Sequence, residues 1–254
     1  MKFTFKKLIK GLMPYGLLYI IRNIIRRMKY PSLNKRKYKG YRPAGGMGDK
    51  LQIYIDYVKN GTNIDVRNIF EIGANFAQDA DYLMEQFSLR PNDIYVFEAH
   101  PEIYDAIKNI HKFNAYNNAV YNEEKELEFN IHPLTHIDTG WSSIFGNDGK
   151  KIKINAIRMD NFMIKNKIDG IDFLKIDVEG ATFHVLEGFG EKLIKVKCIQ
   201  LEAEHNKWSV IPYELISEIL VKANFELVHF ARINCMRQSD SFWVKKECIK
   251  YPET

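Results

Sequence analysis

The chain has 254 residues, 46% apolar, 13% aromatic and 27% charged, with 15 Gly and 8 Pro. Such a chain can bury a sizeable core, which excludes a wholly disordered, collagen-like or linker-dominated polypeptide. Three scattered cysteines, Cys198, Cys235 and Cys248, form no CxxC pair, which excludes a disulfide scaffold and points to reduced thiols in the cytoplasm.

The net charge of +5 is unevenly placed. Residues 1–42 hold 13 Lys or Arg and no acid, leaving 24 basic and 32 acidic side chains for the rest. The body is therefore mildly acidic, which argues against a nucleic-acid partner. Gly11 to Ile21 is uncharged, but 11 residues are too few to span a bilayer, which needs about 20. No small-residue cleavage chemistry follows Ile21, which speaks against a secretory signal. After Pro14, Leu17, Ile21, Ile24 and Met28 share one helical face, and Arg22, Arg26 and Lys29 fall on another. Residues 15–29 thus read as a basic amphipathic helix. It either contacts a membrane surface peripherally, at the inner face, or packs its apolar stripe on the body. Residues 30–48 read as a linker, since Pro31, Gly40, Pro43 and the run Gly45-Gly46-Met47-Gly48 break any period. That glycine cluster lacks the Gly-Lys-Ser/Thr ending of a phosphate loop. The expected domains are an arm and linker at 1–48 and a body at 49–254.

The body alternates strands and helices. Asp49 to Asn60 reads as a helix with Leu51, Tyr54, Ile55 and Val58 inward and Gly61 as its stop. Residues 68–72 form a short buried strand, 77–87 a helix, 93–97 a strand and 101–110 a helix, with Pro101 in its first turn. Residues 113–121, 126–131 and 151–158 look extended. A buried strand at 172–176 leads into a helix at 181–189, and a strand at 196–201 follows. A helix at 213–223 turns Leu215, Ile216, Ile219 and Leu220 inward, and strands at 225–232 and 241–245 end the body. This order implies βαβ units and a mostly parallel sheet, with the last two strands antiparallel. In such sheets ligands bind at the carboxyl ends of strands.

Three of those ends carry acids. The first is Glu71-Ile72-Gly73-Ala74-Asn75, where strand meets helix. Gly73 lets backbone approach a ligand, and the helix N-terminus offers free N–H groups. With one glycine it is no G-x-G-x-x-G fingerprint, so a ligand with an amino-acid carboxylate and a sugar fits better than a pyrophosphate. A purely structural turn explains the same residues. The second is Glu98, placed to accept hydrogen bonds from a ribose diol or to cap the next helix. The third is Lys175-Ile176-Asp177-Val178-Glu179-Gly180, where two acids end an apolar strand. They serve either chemistry or a structural salt bridge to Lys175.

In this order the residues resemble the FkbM family of S-adenosylmethionine-dependent methyltransferases, over roughly residues 68–246. The resemblance rests most specifically on Leu174-Lys-Ile-Asp-Val-Glu-Gly180 with Val185-Leu186-x-Gly188. Glu71-Ile-Gly-Ala-Asn75, Phe97-Glu98, Asn118-Ala119-Val120, Ser142-Ser143-Ile144 and Arg158-Met-Asp160-Asn-Phe162 add weaker matches. It implies an α/β, Rossmann-like class I methyltransferase fold, with a seven-stranded, mostly parallel sheet and an antiparallel last strand. It also implies that Glu71, Gly73, Ala74 and Asn75 surround the methionine part of the cofactor. Glu98 would hold the ribose, with Ala99, Asn118 and Ala119 nearby at the adenine. Asp177, counted with the cofactor residues too, and Glu179 would lie at the methyl-transfer end. The chain departs from the family pattern at Glu71 (usually Asp), Ala77 (Gly), Ala99 (Pro) and Thr182 (Glu).

Methyl transfer to a hydroxyl needs a proton acceptor, and the candidates are Asp177, Glu179 and His205. Asp177 with Glu179 or Glu204 offers oxygen ligands suited to magnesium, though no three-ligand spacing compels a metal. Trp141 and Trp208 are candidates to stack on a sugar face. The expected activity is O-methylation of a hydroxyl on a sugar of a cell-surface polysaccharide or related glycan, the sugar being implied by the family alone. A non-catalytic binding module on this fold and a nucleotide-dependent oxidoreductase are the alternatives.

Overall fold

The computed structural model describes residues 48–131, 142–145, 149–205, 211–233 and 238–251. The basic arm, nearly all of the linker, Trp141, Trp208 and Cys235 lie outside them. In chain order the elements are α1 (Gly48–Gly61), β1 (Ile69–Ile72), α2 (Gln78–Phe87), β2 (Ile94–Phe97) and α3 (Pro101–Ile110). Then come β3 (Asn114–Tyr116), β4 (Ala119–Val120), β5 (Glu126–Ile131), β6 (Lys150–Ile157), α4 (Met159–Lys165), β7 (Ile171–Ile176) and α5 (Thr182–Phe189). β8 (Val196–Glu204), α6 (Tyr213–Lys222), β9 (Phe225–Ile233) and β10 (Gln238–Lys245) complete the body.

The main sheet has seven strands in the order β3-β2-β1-β7-β8-β10-β9. β10 alone runs against the rest, wedged between β8 and β9. Every residue of β1 and β7 is buried, as expected of parallel strands covered on both faces. One face packs Phe70, Ile72, Leu174 and Ile199 under α4, α5 and α6. The other packs Ile69, Val96, Phe173 and Phe242 under α1, α2 and α3. The inward face read for α1 is buried as expected, with Leu51, Tyr54, Ile55 and Val58 each no more than 1% exposed.

Four details differ from the sequence reading. Residues 113–121 divide between the main sheet (β3) and a separate three-stranded sheet in the order β4-β6-β5. α4 is a helix that the sequence reading did not mark, held by buried Met159, Phe162 and Met163. β8 does not end at Leu201. It continues to Glu204 because β10 pairs with it through Asp240↔Glu202 and Gln238↔Glu204. Leu215 faces outward at 39% exposure, while Ile216 and Leu220 carry α6 onto the core.

Candidate functional site

The carboxyl ends of β1, β2 and β7 are joined by backbone bonds. The N–H groups of Gly73 and Ala74 both donate to the Phe97 carbonyl, at 3.0 and 3.1 Å, and Asp177 N–H donates to the Ile72 carbonyl at 2.9 Å. Gly73 has φ +76°, and a Cβ there would stand 1.9 Å from the Asp177 carbonyl oxygen. Glycine is thus required by the neighbouring strand end, where the sequence had suggested the approach of a ligand. The turn continues through Asn75 (φ 48°) and Ala77 (φ 54°), both left-handed. Ala77 stands where the family pattern has glycine, so its Cβ carries the strain that glycine avoids, about 1–2 kcal/mol.

Above this junction lies a partly open cleft. Its wall includes Gly73, Asn75, Glu98, Ala99, Asn118, Ala119, Asp177 and Glu179. Glu71, Ala74 and His205, expected at the site, are not part of that wall. The wall also includes Phe129 of β5 and the segment Ser142-Ser143-Ile144, neither of which has an assigned role in the sequence reading. The serine motif was visible, whereas nothing in the sequence brought Phe129 to the same place.

Glu98 is 8% exposed. Its carboxylate accepts the N–H groups of Asn75 at 2.7 Å and His100 at 2.8 Å. Burial pushes its carboxyl up to about 7, although the N–H groups of His100, Asn75 and Ala99 favour the charge. The carboxylate therefore both fixes the turn after β1 and meets the first turn of α3. Asn118 turns its amide to the Asn155 carbonyl, 3.2 Å away, tying the adjoining wall to β6.

Glu71 lies beneath the cleft. It is paired in register with Lys175 across β1 and β7, and its carboxylate accepts Ala80 N–H at 3.0 Å. Lys175, 2% exposed, reaches Asp177 at 2.9 Å and both Glu71 and Asp79 at 3.3 Å. Burial lowers the lysine's proton affinity, but its three carboxylates more than reverse this and hold its pKa well above the usual value. Of the two readings left open for the acids after β7, the salt bridge to Lys175 is present for Asp177.

At the end of β7, burial and the charges of Glu204, Asp177 and Glu202 push the Glu179 carboxyl up to about 9. Burial and Asp177 push Glu202 to about 8. Glu204 rises to about 7 by burial, restrained by its own N–H and that of Gly180. Glu179 and Glu204 share a hydrogen bond, so one proton serves both carboxyls. His205 sits elsewhere. Its Nε2 meets Ser239 Oγ at 2.7 Å, Tyr213 and Phe230 pack around it, and burial lowers its pKa. Thr182, where the family pattern has Glu, donates its hydroxyl to the Glu202 carbonyl at 2.7 Å and joins α5 to β8. Among the described residues no three His, Cys, Asp or Glu side chains are grouped to hold a metal ion.

The sequence model of the methyltransferase FkbM domain matches residues 71–227. The chain belongs to the FkbM methyltransferase family. It thereby carries a methyltransferase domain. Its structure is similar to the FkbM methyltransferase of Methylobacillus flagellatus KT, at 12% identity and a TM-score of 0.49, over 71% of this chain and 44% of that one. The chain thus spans less than half the length of that relative. It is also similar to magnesium protoporphyrin IX methyltransferase of Synechocystis PCC 6803, at 8% identity and a TM-score of 0.47, over 90% of this chain and 96% of that one. No curated protein matches the chain in sequence.

The cleft of this FkbM domain suits the cofactor. A carboxylate has about four acceptor sites, so after Asn75 and His100 Glu98 keeps capacity for a donor from the cleft. Phe97, Ile103 and Ala119 offer apolar wall beside it.

Five buried or half-buried glutamates fix how stability depends on pH. Glu71 is pushed to about 8 by burial, against Lys175, and Glu98, Glu179, Glu202 and Glu204 lie between about 7 and 9. The unfolded chain gives up these protons near 4.5. Between that value and about 7–9 the folded chain binds more protons, so its stability falls as pH rises. Because the groups are coupled they act together, and the melting temperature should fall by several degrees from pH 6 to pH 9. Calorimetric melts across this range test the sign. A domain that melts higher at pH 9 would show that these carboxyls are not buried as described.

Proposed function

We propose that the protein methylates a hydroxyl group, on a sugar of a cell-surface polysaccharide or related glycan. The observation that carries the methyl-transfer part is the meeting of Glu98, Asp177 and Glu179 in one cleft at the carboxyl ends of β2 and β7. The sugar rests on the family resemblance. When bound, S-adenosylmethionine supplies a methyl group made electrophilic by its sulfonium.

The chain's own residues divide the remaining tasks. Glu98 holds the ribose through one hydroxyl, and Ala99, Asn118 and Ala119 border the base. Gly73 and Asn75 line the amino-acid end. Asp177, oriented by Lys175, receives the positive charge of the ligand. Glu179 is the candidate proton acceptor in the cleft, and it can take a proton only after losing the one that it holds up to about 9 and shares with Glu204, so transfer through it should quicken as pH rises toward that value. Alignment of the acceptor oxygen supplies the larger share of the rate, about 7–11 kcal/mol. A positioned base adds about 10²–10⁴-fold. The direct test compares surface glycans of cells with and without the protein by mass spectrometry. A missing methyl group supports the reading, and identical glycans refute the sugar assignment.

The arm belongs to the same proposal. No helix among the described residues is long and apolar enough to cross a membrane. We assign peripheral contact with an anionic inner membrane face to residues 15–29, whose basic and apolar faces suit an interface. Removing residues 1–42 is expected to leave a soluble body that binds S-adenosylhomocysteine as the full chain does, and to abolish co-sedimentation with anionic vesicles. Equal co-sedimentation with and without the arm would end the membrane assignment. An unfolded truncation would show that the arm completes the core.

A further inference from the structure

We propose that the Ser143 hydroxyl is a positioning group that closes the cofactor cleft by tying a strap of the small sheet to the peptide of Glu179. The inference rests on the reading that this cleft binds S-adenosylmethionine.

Ser143 uses both its backbone and its side chain to join two parts of the fold. Its main chain is held on β5, since Asn130 N–H donates to the Ser143 carbonyl at 2.9 Å and Ser143 N–H donates to the Asn130 carbonyl at 3.1 Å. Its hydroxyl donates to the Glu179 carbonyl at 2.6 Å and accepts Phe145 N–H at 3.1 Å. A hydroxyl has one proton to donate, and here that proton goes to the loop after β7. The Phe145 contact is a local turn of a kind common for serine. The Glu179 contact is not local, because it joins residues 36 apart in sequence and links the small sheet to the end of the main sheet.

The strap that Ser143 fixes is a wall of the cleft. Ser142, Ser143 and Ile144 line the same cavity as Glu98 and Glu179. Ile144 packs on Phe129, Ile131 and Ile154, so the small sheet supports the strap's apolar side. Without the hydroxyl, the Glu179 peptide and the strap are free to separate, and the cleft opens along that seam. A ligand enclosed there then leaves faster, while its entry is not slowed. The same bond holds the peptide of the residue placed at the transfer end, so Ser143 acts on Glu179 through its backbone.

The test uses the full chain with S-adenosylhomocysteine as probe, measuring affinity by calorimetry and dissociation by stopped flow. Ser143→Ala is expected to dissociate about tenfold faster, the worth of about one neutral hydrogen bond, with association unchanged or faster. Ser143→Thr keeps the hydroxyl and is expected to stay within about twofold of the original chain. Ser143→Cys keeps the bulk with only a weak donor and is expected to be as fast as alanine, a contrast that a merely space-filling role for Ser143 would not produce. Should the alanine variant fail to fold, the cysteine variant takes its place. Wild-type dissociation in the alanine or cysteine variant, or a threonine variant as leaky as alanine, overturns the proposal while leaving the cofactor reading intact. Absence of binding by the unmodified chain overturns both.

Discussion

Glu98→Gln is expected to raise the dissociation constant for S-adenosylhomocysteine by about 100-fold while the chain still folds. A hydrogen bond to a charged group is worth about 1.5–3 kcal/mol, and with three backbone N–H groups already on its carboxylate Glu98 has room for one ribose hydroxyl. Asn75 N–H and His100 N–H donate to different oxygens of Glu98, so glutamine keeps an oxygen for one of them and turns its NH₂ donors toward the other. The amide therefore cannot satisfy the turn and the ribose together. Some stability is lost as well, about 1–3 kcal/mol for each N–H left unpaired. Part of this returns, because the substitution removes a carboxyl that burial disfavours. Calorimetry with S-adenosylhomocysteine, beside a circular-dichroism melt, separates the two effects. An unchanged affinity with a lowered melting temperature would reduce Glu98 to a clamp on the turn after β1.

That clamp is one of several features that the sequence could not supply. The expected helix at residues 101–110 matches α3, because proline at the first turn and an apolar stripe are local signals. α4 is only seven residues long, too short for a period to stand out, and its place comes from packing of Met159, Phe162 and Met163 on the core. The strand pattern of β8 is marked in the sequence only as far as Leu201. Pairing with β10 extends it, and that partner lies more than 30 residues away. The acids were legible as acids at strand ends, but not which of them faces the ligand. A strand buried on both faces shows no contrast between inward and outward positions. Glu71 could therefore not be told from a cleft residue until its register with Lys175 was known. Gly73 and Gly188 share this lesson. A Cβ would stand 1.9 Å from the Asp177 carbonyl oxygen at Gly73, and 2.3 Å from that of Tyr121 at Gly188. Both glycines mark a close approach, and only the tertiary fold says what approaches.

Lys175→Met should be the most damaging single change in the body, costing about 3–5 kcal/mol at pH 8.5, the usual effect of removing one partner from a buried ion pair. The side chain that replaces the ammonium is apolar and of suitable length, so packing is largely kept. What is lost is the one cation that Glu71, Asp79 and Asp177 share. The lysine's own proton is held well above its usual value, so its support is fully present at pH 6 and pH 8.5 alike and would fade only above pH 10. The pH dependence of the damage therefore comes from the carboxylates. Glu71 already holds its proton to about 8, with Lys175 pulling the other way. Once the lysine is gone, protonation of Glu71 relieves the uncompensated charge at pH 6, and that relief disappears as pH rises. Urea unfolding at both values should show a modest deficit at pH 6 and a larger one at pH 8.5. Asp177 also loses the donor that fixes its Oδ2, so affinity for S-adenosylhomocysteine should fall in the folded fraction at either pH. A methionine variant equal to the original chain at both values would mean that these carboxyls already hold protons and need no cation. The link between the ends of β1 and β7 would then rest on backbone bonding, including that from Asp177 N–H to the Ile72 carbonyl.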